Sequence, residues 1–401
     1  MRHKYVIVGG GLAAASAIEG IRRHDDGGGI LLLTRENFEP YHRPPLSKDL
    51  WFGKSTKDKL PVHDDAFYRE NGVELQLRRE VVELDPARHL LWDDRGVEWE
   101  YERLLLATGG RPRRLVVEGA EVPGLRYFRD LEDYLFLERR LDRFQHALVV
   151  GGGFIGAELA AALRHAGKEV NFLYDREYPL SRVLPRDLGL FVADYYRQQG
   201  VETVSEDKVV ALEEAQGLIQ ARTASGGVIS TQLVLAGLGI EPEGDLAEAA
   251  GLDVEDGIVV DEFARTTDTD IYAAGDVARY PCVPLERSLR VEHWDHAQQH
   301  GRCAGANMAG AVEPYEGIPY FFSDLFDLGF EAVGELDPTL RVEAVWREPF
   351  REGVVYYLRD DVARGVLLWN VWGAVDWARS LVRAAKPMSS EERAAAVPAK
   401  E

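Results

Sequence analysis

Residues 3–17 read HKYVIVGGGLAAASA. Tyr5-Val6-Ile7-Val8 is a short apolar run of the strand type, three glycines follow, and the small residues Leu12 to Ala17 open a helix. A strand, a Gly-rich turn and a helix start, in that order, form a cradle for a dinucleotide pyrophosphate. Gly9 makes the tight turn, and Gly11, which has no Cβ, lets the backbone approach the phosphates. Ala14 takes the third place, where a small residue lets the helix pack on the strand. The N–H groups and dipole of the helix start then face the phosphates. Alone, the pattern also fits a purely structural turn.

Residues 146–163, HALVVGGGFIGAELAAAL, decide between the two. A second buried strand runs into Gly151, Gly153 and Gly156, the full G-x-G-x-x-G. Two such units predict two dinucleotides bound face to face, FAD on the first and a nicotinamide nucleotide on the second, so that electrons pass between them. The expected fold class is α/β, with two Rossmann-like dinucleotide-binding domains and an α+β C-terminal domain.

The 401 residues are enough for two or three domains with substantial cores. With 46% hydrophobic and 29% charged residues the chain reads as a soluble globular protein, and its apolar runs, such as Leu104 to Ala107, are far too short to span a membrane. Met1-Arg2-His3-Lys4 leads straight into the first strand with no secretory signal, so a cytoplasmic location is expected. A net charge of −21 repels phosphate backbones and argues against nucleic acid as a partner. The two cysteines, Cys282 and Cys303, form no C-x-x-C and are expected to be packed thiols.

Along the chain, Gly27-Gly28-Gly29 leads to a strand at Ile30 to Thr34, near whose end an acid normally binds the adenosine ribose. Arg35 occupies the first place to look and Glu36 the next; Glu36 is assigned, against a solvated loop carboxylate. In FEPYHRPPLSKDLWFGK, residues 38–54, the prolines are expected to forbid helix and hold the loop extended, with Arg43 and Lys48 as cations near a diphosphate and a flavin. The alternative there is a solvated basic loop. YERLLLATGGRP, residues 101–112, is a buried strand running into Thr108 and Gly109, close to the cofactor at a domain crossover. Asp175, just past the next strand, is placed to bind the 2′-hydroxyl of NADH and repel the 2′-phosphate of NADPH, although Tyr174 holds the position where an acid is most expected and Arg176 pulls the other way.

In TTDTDIYAAGDVA, residues 266–278, a strand turns at Gly275 and Asp276 points at a helix start, where it can accept a hydrogen bond from the ribityl chain or act as an N-cap. RVEHWDHAQQHGRCAGANMAG, residues 290–310, is a polar turn feeding a helix. Its His293 and His296 alone are weak evidence for a metal, and none is expected. Strands at Val354 to Leu358 and Gly365 to Trp369 and a helix near Ala374 to Ala385 follow. The predicted domains are 1–115 with 243–313 for FAD, 116–242 for NAD(P)H, 314–386 as the C-terminal α+β domain, and 387–401 as a disordered tail.

These residues carry a family resemblance. The two Gly motifs, ATGG and AAGDVA resemble the FAD-dependent pyridine nucleotide oxidoreductases of the glutathione reductase fold. PYHRPPLSK narrows this to the ferredoxin reductase and apoptosis-inducing factor branch. RVEHWDHA, GRCAGANMAG, FFSDLFDLGFEAVGE and VVYYLRDDVARGVLLWNVW are most similar to apoptosis-inducing factor. The resemblance implies that Lys48 lies near the flavin N5 and pairs with Glu158 as the catalytic pair. It implies that Arg43 contacts FAD, that Glu292 and His293 lie near the isoalloxazine, and that an aromatic residue covers the site. Phe322 stands where the family commonly has tryptophan, which implies weaker stacking. The thiol of the disulfide-reductase branch is replaced by Pro44-Pro45, which argues against disulfide substrates. Against the resemblance, Met1 to Glu401 shows no long N-terminal targeting region and no large insertion between Glu348 and Tyr356, so a eukaryotic-style organelle or death-signalling role is not expected.

Two functions follow from the resemblance. One is an FAD-dependent NAD(P)H oxidoreductase that takes hydride from NADH and reduces a small redox protein of the ferredoxin or rubredoxin type, a quinone or oxygen. The other is a slow NADH-sensing flavoprotein with a long-lived charge-transfer complex and a redox-controlled change of shape or of oligomeric state, such as a homodimer.

Overall fold

Apolar residues at every position of a short run are the mark of a strand buried on both faces of a parallel sheet. Two such runs, Arg2–Val8 over its second half and Ile30–Thr34 up to Leu33, lie side by side in parallel register, Tyr5 opposite Ile30 and Val8 opposite Leu33. The computed structural model describes residues 2–398, which fall into two compact units, one of residues 2–42, 58–111 and 241–321 and one of residues 43–57, 112–240 and 322–398.

In the first unit the sheet runs Val73–Leu77, Ile30–Thr34, Arg2–Val8, Glu98–Leu106, then the antiparallel pair Leu90–Asp93 and Val81–Asp85. Besides Arg2–Val8, Glu98–Leu106 serves two more neighbours: residues 98–100 pair with Leu90–Trp92, and residues 104–106 pair in parallel with Ile271–Ala273. The helix Leu12–Arg22 covers this sheet and is crossed by the helix Trp294–Met308. The crossing is close because it is lined by glycine. A Cβ on Gly301 would lie 2.3 Å from the Ala13 carbonyl oxygen, and one on Gly305 would lie 2.0 Å from that of Ala17.

In the second unit five parallel strands run in the order Val201–Val204, Glu169–Leu173, His146–Val150, Leu233–Ala236, Leu125–Tyr127. The helix Phe154–His165 packs on them. The strands Val209–Ala215, Leu218–Thr223 and Val228–Thr231 form an antiparallel ribbon. A second, antiparallel sheet runs Tyr320–Leu325, Leu328–Gly334, Val362–Trp369, Glu352–Arg359, Arg341–Glu348, with the helix Val375–Ala384 laid against it.

Two expectations are corrected. The Pro44-Pro45 stretch is not extended. Pro44–Leu46 forms a single 3-10 turn with proline at its first positions, where a fixed φ suits the turn and the missing N–H is not needed. The segment 387–401 is not disordered as far as it is described. Ser390–Ala396 is a helix, started by a capping box in which Ser389 accepts from Glu392 N and the Glu392 carboxylate accepts from Ser389 N. Arg393, 1% exposed, ties it down by donating to Glu343 at 2.7 Å. The last three residues of that predicted tail lie outside the described residues. Among the described residues no helix is long and apolar enough to cross a membrane.

Candidate active site

The first cradle sits where Arg2–Val8 ends. Gly9 has φ +121°, a conformation that side chains disfavour, and a Cβ there would lie 2.1 Å from the Ala107 carbonyl oxygen. Around Gly11 a Cβ would meet nothing within 4 Å, and the helix that Gly11 starts has no side-chain cap. Open space before an uncapped helix start, with its N–H groups and positive dipole end, fits an anion approaching from outside. Ala14, in the first turn of that helix, is fully buried. Glu36 lies two residues beyond the second strand, and its carboxylate accepts from the Tyr41 hydroxyl at 2.6 Å. Arg35 turns away from it to Glu243, at 2.7 Å. Thr108 donates to the Glu243 carbonyl at 2.7 Å and Gly109 follows at φ +71°. Together these residues fit the pyrophosphate and adenosine end of FAD.

Asp276 lies inside the 3-10 turn Gly275–Val277 and is not its cap. Gly275, at φ +78°, brings that turn against the start of the first nucleotide helix, where a Cβ would meet that of Ala13 at 2.9 Å. His293 is the N-cap residue of Trp294–Met308, its ring stacked on Phe321 with centroids 4.4 Å apart. Glu292 accepts from Arg290 at 2.7 Å. Trp294 donates to His42 Nδ1 at 3.0 Å, and burial, with His63 nearby, lowers the His42 pKa. His296 is engaged elsewhere: its Nδ1 lies 2.9 Å from the Tyr315 hydroxyl, and burial pushes its pKa down to about 3. Among the described residues no group of three or more His, Cys, Asp or Glu side chains is placed to hold a metal, and the two cysteines form no disulfide.

The second cradle repeats the first. Gly151 has φ +111°, a Cβ on Gly153 would meet nothing within 4 Å, and the helix starting at Gly153 also lacks a side-chain cap. A Cβ on Gly156 would come within 1.8 Å of the Gly151 carbonyl oxygen. Asp175 lies two residues past its strand, half exposed, 3.8 Å from Lys208, while Tyr174 is buried against Gly152. These residues fit the pyrophosphate and ribose of a nicotinamide nucleotide.

In this same unit the structure brings Lys48 and Glu158 together. Lys48 Nζ is 3.0 Å from Glu158 Oε1, with both side chains under a tenth exposed. The ammonium also donates to the Phe322 carbonyl at 3.2 Å and lies 4.3 Å from the centre of the Phe322 ring, a cation–π contact. Tyr196 donates to the Ala157 carbonyl at 2.9 Å; burial raises its pKa well above the ordinary tyrosine range, and the Glu158 charge acts in the same sense. Arg43 donates to the Arg129 carbonyl at 3.0 Å. Nearby, burial, with Asp130 beside it, pushes the Asp133 carboxyl up to about 6. Two residues that sequence reasoning passed over, Ser47 and Ser323, both donate to the Glu158 carboxylate. The only sequence signal was adjacency, since each flanks an assigned site residue, Lys48 or Phe322.

The pyridine nucleotide-disulphide oxidoreductase family model matches residues 3–301, and the chain belongs to this family. It is an FAD-dependent oxidoreductase of nicotinamide nucleotides, built as two nucleotide-binding Rossmann-like domains and a C-terminal domain. A second model, apoptosis-inducing factor, mitochondrion-associated, C-term, matches residues 343–384. The chain is 34% identical to rubredoxin-NAD(+) reductase of Pseudomonas putida, over 82% of this chain and 86% of that one. It is 32% identical to apoptosis-inducing factor 1, mitochondrial, of Dictyostelium discoideum, over 94% and 78%. The crystal structure of the covalent putidaredoxin reductase–putidaredoxin complex superposes with a TM-score of 0.91 at 30% identity, covering 97% of this chain and 95% of that one.

Proposed function

We propose that this protein oxidises NADH and delivers the electrons to a small redox protein of the ferredoxin or rubredoxin kind. The observation that carries the reading is the presence of two separately built nucleotide cradles in one chain whose relatives are named as reductases of such partners. FAD, when bound, supplies the group that takes a hydride from NADH, leaving NAD+, and then releases the two electrons.

Gly9 and Gly11 hold the FAD pyrophosphate, Ala14 lets the helix that faces it pack on the strand, Glu36 holds the adenosine ribose, and Thr108, Gly109, Gly275 and Asp276 the remainder of its length. Arg43 contacts FAD, and Glu292 and His293 flank the isoalloxazine. Gly151, Gly153 and Gly156 hold the NADH pyrophosphate, and Asp175 its 2′-hydroxyl. Lys48 keeps a positive charge where electron density arrives, Glu158 holds that charge in place, and Phe322 covers it. A fixed charge of this kind lowers the barrier because it needs no reorganisation during reaction.

The test is an anaerobic titration with NADH followed by a panel of acceptors. Bleaching by one equivalent, then rapid re-oxidation by a ferredoxin or rubredoxin, supports the reading; failure of NADH to reduce the flavin sinks it. The match at residues 343–384 favours a second reading, a slow NADH sensor that changes oligomeric state. A long-wavelength charge-transfer band persisting in air, with a homodimer in sedimentation only after reduction, identifies that case.

A further inference from the structure

Glu158 is held by more than its lysine. Ser47 Oγ donates to Glu158 Oε2 at 2.6 Å, and Ser323 Oγ donates to Oε1 at 2.7 Å, the same oxygen that Lys48 approaches at 3.0 Å. Ser47 is 3% exposed, Lys48 6%, Glu158 4% and Ser323 0%. The four residues come from three separate stretches: Ser47 and Lys48 from the turn after Pro44–Leu46, Glu158 from the second nucleotide helix, and Ser323 from the strand Tyr320–Leu325.

We propose that Ser47 and Ser323 are positioning residues for NADH oxidation. Their hydroxyls fix the Glu158 carboxylate, and through it the place of the Lys48 ammonium. The inference rests on the role given above to Lys48 and adds what sets that role.

The argument begins with desolvation. Two opposite charges taken out of water are stable together only if the remaining lone pairs and protons are also satisfied. A carboxylate has about four acceptor sites, and one lysine fills one of them. A single contact also leaves the carboxylate able to turn about its last torsion, which is broad for glutamate. One hydroxyl on each oxygen removes that freedom. Ser323 and Lys48 share Oε1, so the serine sets which oxygen faces the cation. The neighbouring residue acts on the other member of the pair, since the Phe322 carbonyl and ring both contact Lys48. The dipeptide Phe322-Ser323 therefore holds cation and anion at once. Hydroxyls that only satisfied buried lone pairs would affect stability alone. Hydroxyls that place a charge also affect how strongly that charge favours the reduced flavin.

The experiment uses the FAD-loaded full chain. Ser47→Ala, Ser323→Ala and the double variant are compared with the parent by flavin midpoint potential and by stopped-flow reduction at saturating NADH. Each variant keeps one FAD per chain and an apparent NADH affinity within roughly twofold of the parent. The double variant reduces roughly tenfold more slowly, the low end of the effect of losing one preorganised electrostatic group. A tenfold weaker preference for the two-electron reduced form lowers its potential by about 30 mV. Ser323→Thr, which keeps the hydroxyl, restores most of the shift, and in a Glu158→Gln background removing the hydroxyls adds nothing. Ser47→Cys and Ser323→Cys, weak donors of similar size, carry the test if an alanine variant does not fold. Potentials equal to the parent in the serine variants, alongside a shifted potential in Lys48→Ala, overturn the inference and leave the reading of Lys48 standing. An unshifted potential in Lys48→Ala overturns both.

Discussion

Gly9 N donates to the Leu33 carbonyl at 2.8 Å, and Gly151 N donates to the Leu173 carbonyl at 2.8 Å. Ala107 N reaches Val8 O and Gly237 N reaches Val150 O, again both at 2.8 Å. Ala15 N closes on Gly11 O as Ala157 N closes on Gly153 O. The two cradles thus share one backbone, and they part at the helix. The third small position is Ala14 in one and Gly156 in the other. Two residues on stand Ser16, buried with a hydroxyl that has no hydrogen-bond partner among the described residues, and Glu158, buried with partners on both oxygens. The difference teaches that backbone geometry makes the cradle, while the second turn of the helix decides what else the site can do.

The largest expected contrast is at that second turn. Glu158→Ala leaves a buried ammonium without its carboxylate and should cost about 3–5 kcal/mol in denaturant unfolding. Ser16→Ala removes only an unsatisfied hydroxyl and should be neutral or slightly stabilising. Equal losses at the two positions would erase the distinction drawn here. At the third position, Gly156→Ala forces a Cβ against the Gly151 carbonyl, for about 1–3 kcal/mol and a weakened affinity for NADH. Ala14→Gly should cost at most ~1 kcal/mol, from backbone entropy.

The first unit also buries two histidines as neutral rings. Burial holds His296 down to about 3 and His300 well below the ordinary range, and both His300 ring nitrogens lack a hydrogen-bond partner among the described residues. Because both pKa values are depressed on folding, the stabilisation is complete above the unfolded value of 6.5 and is lost as pH falls below it, for His296 toward about 3. The slope is up to about 1.4 kcal/mol per pH unit for each ring. Tm measured against pH should therefore drop below 6.5, and His300→Phe should flatten the drop. A Tm that is level between pH 7 and pH 5 in the parent, roughly the range in which an ordinary histidine takes its proton, would remove these rings from the account.

The smallest effect is at the nucleotide ribose. Asp175 is half exposed and 3.8 Å from Lys208, so its charge is screened. Asp175→Ala should narrow the NADH over NADPH preference by less than about tenfold, in steady-state rates with each nucleotide. A parent that prefers NADPH would show that the assignment of Asp175 is wrong.

The cradles were legible because their requirements are local. A strand, glycines at fixed spacing and a small-residue helix appear within fifteen residues of sequence, and the strand Ile30–Thr34 ends where its pattern ends. The tail helix carried an equally local signal, Ser389 three residues before Glu392, hidden by the polar composition around it. The turn at Pro44 was misread because proline excludes a helix interior but suits a turn's first residues. Ser47 and Ser323 could not be read at all. They lie 111 and 165 residues from the carboxylate they hold, and a serine in sequence looks the same whether it meets water or a buried charge.

The central claim is that the second cradle differs from the first by carrying, at Glu158, the anchor of a cation that promotes flavin reduction. Stopped-flow reduction of Lys48→Ala by saturating NADH under anaerobic conditions tests it most directly. The account predicts a protein that still binds one FAD and is reduced at least roughly tenfold more slowly than the parent. An FAD-loaded Lys48→Ala reduced at the parental rate would contradict it, and would leave the Lys48–Glu158 pair as structure alone.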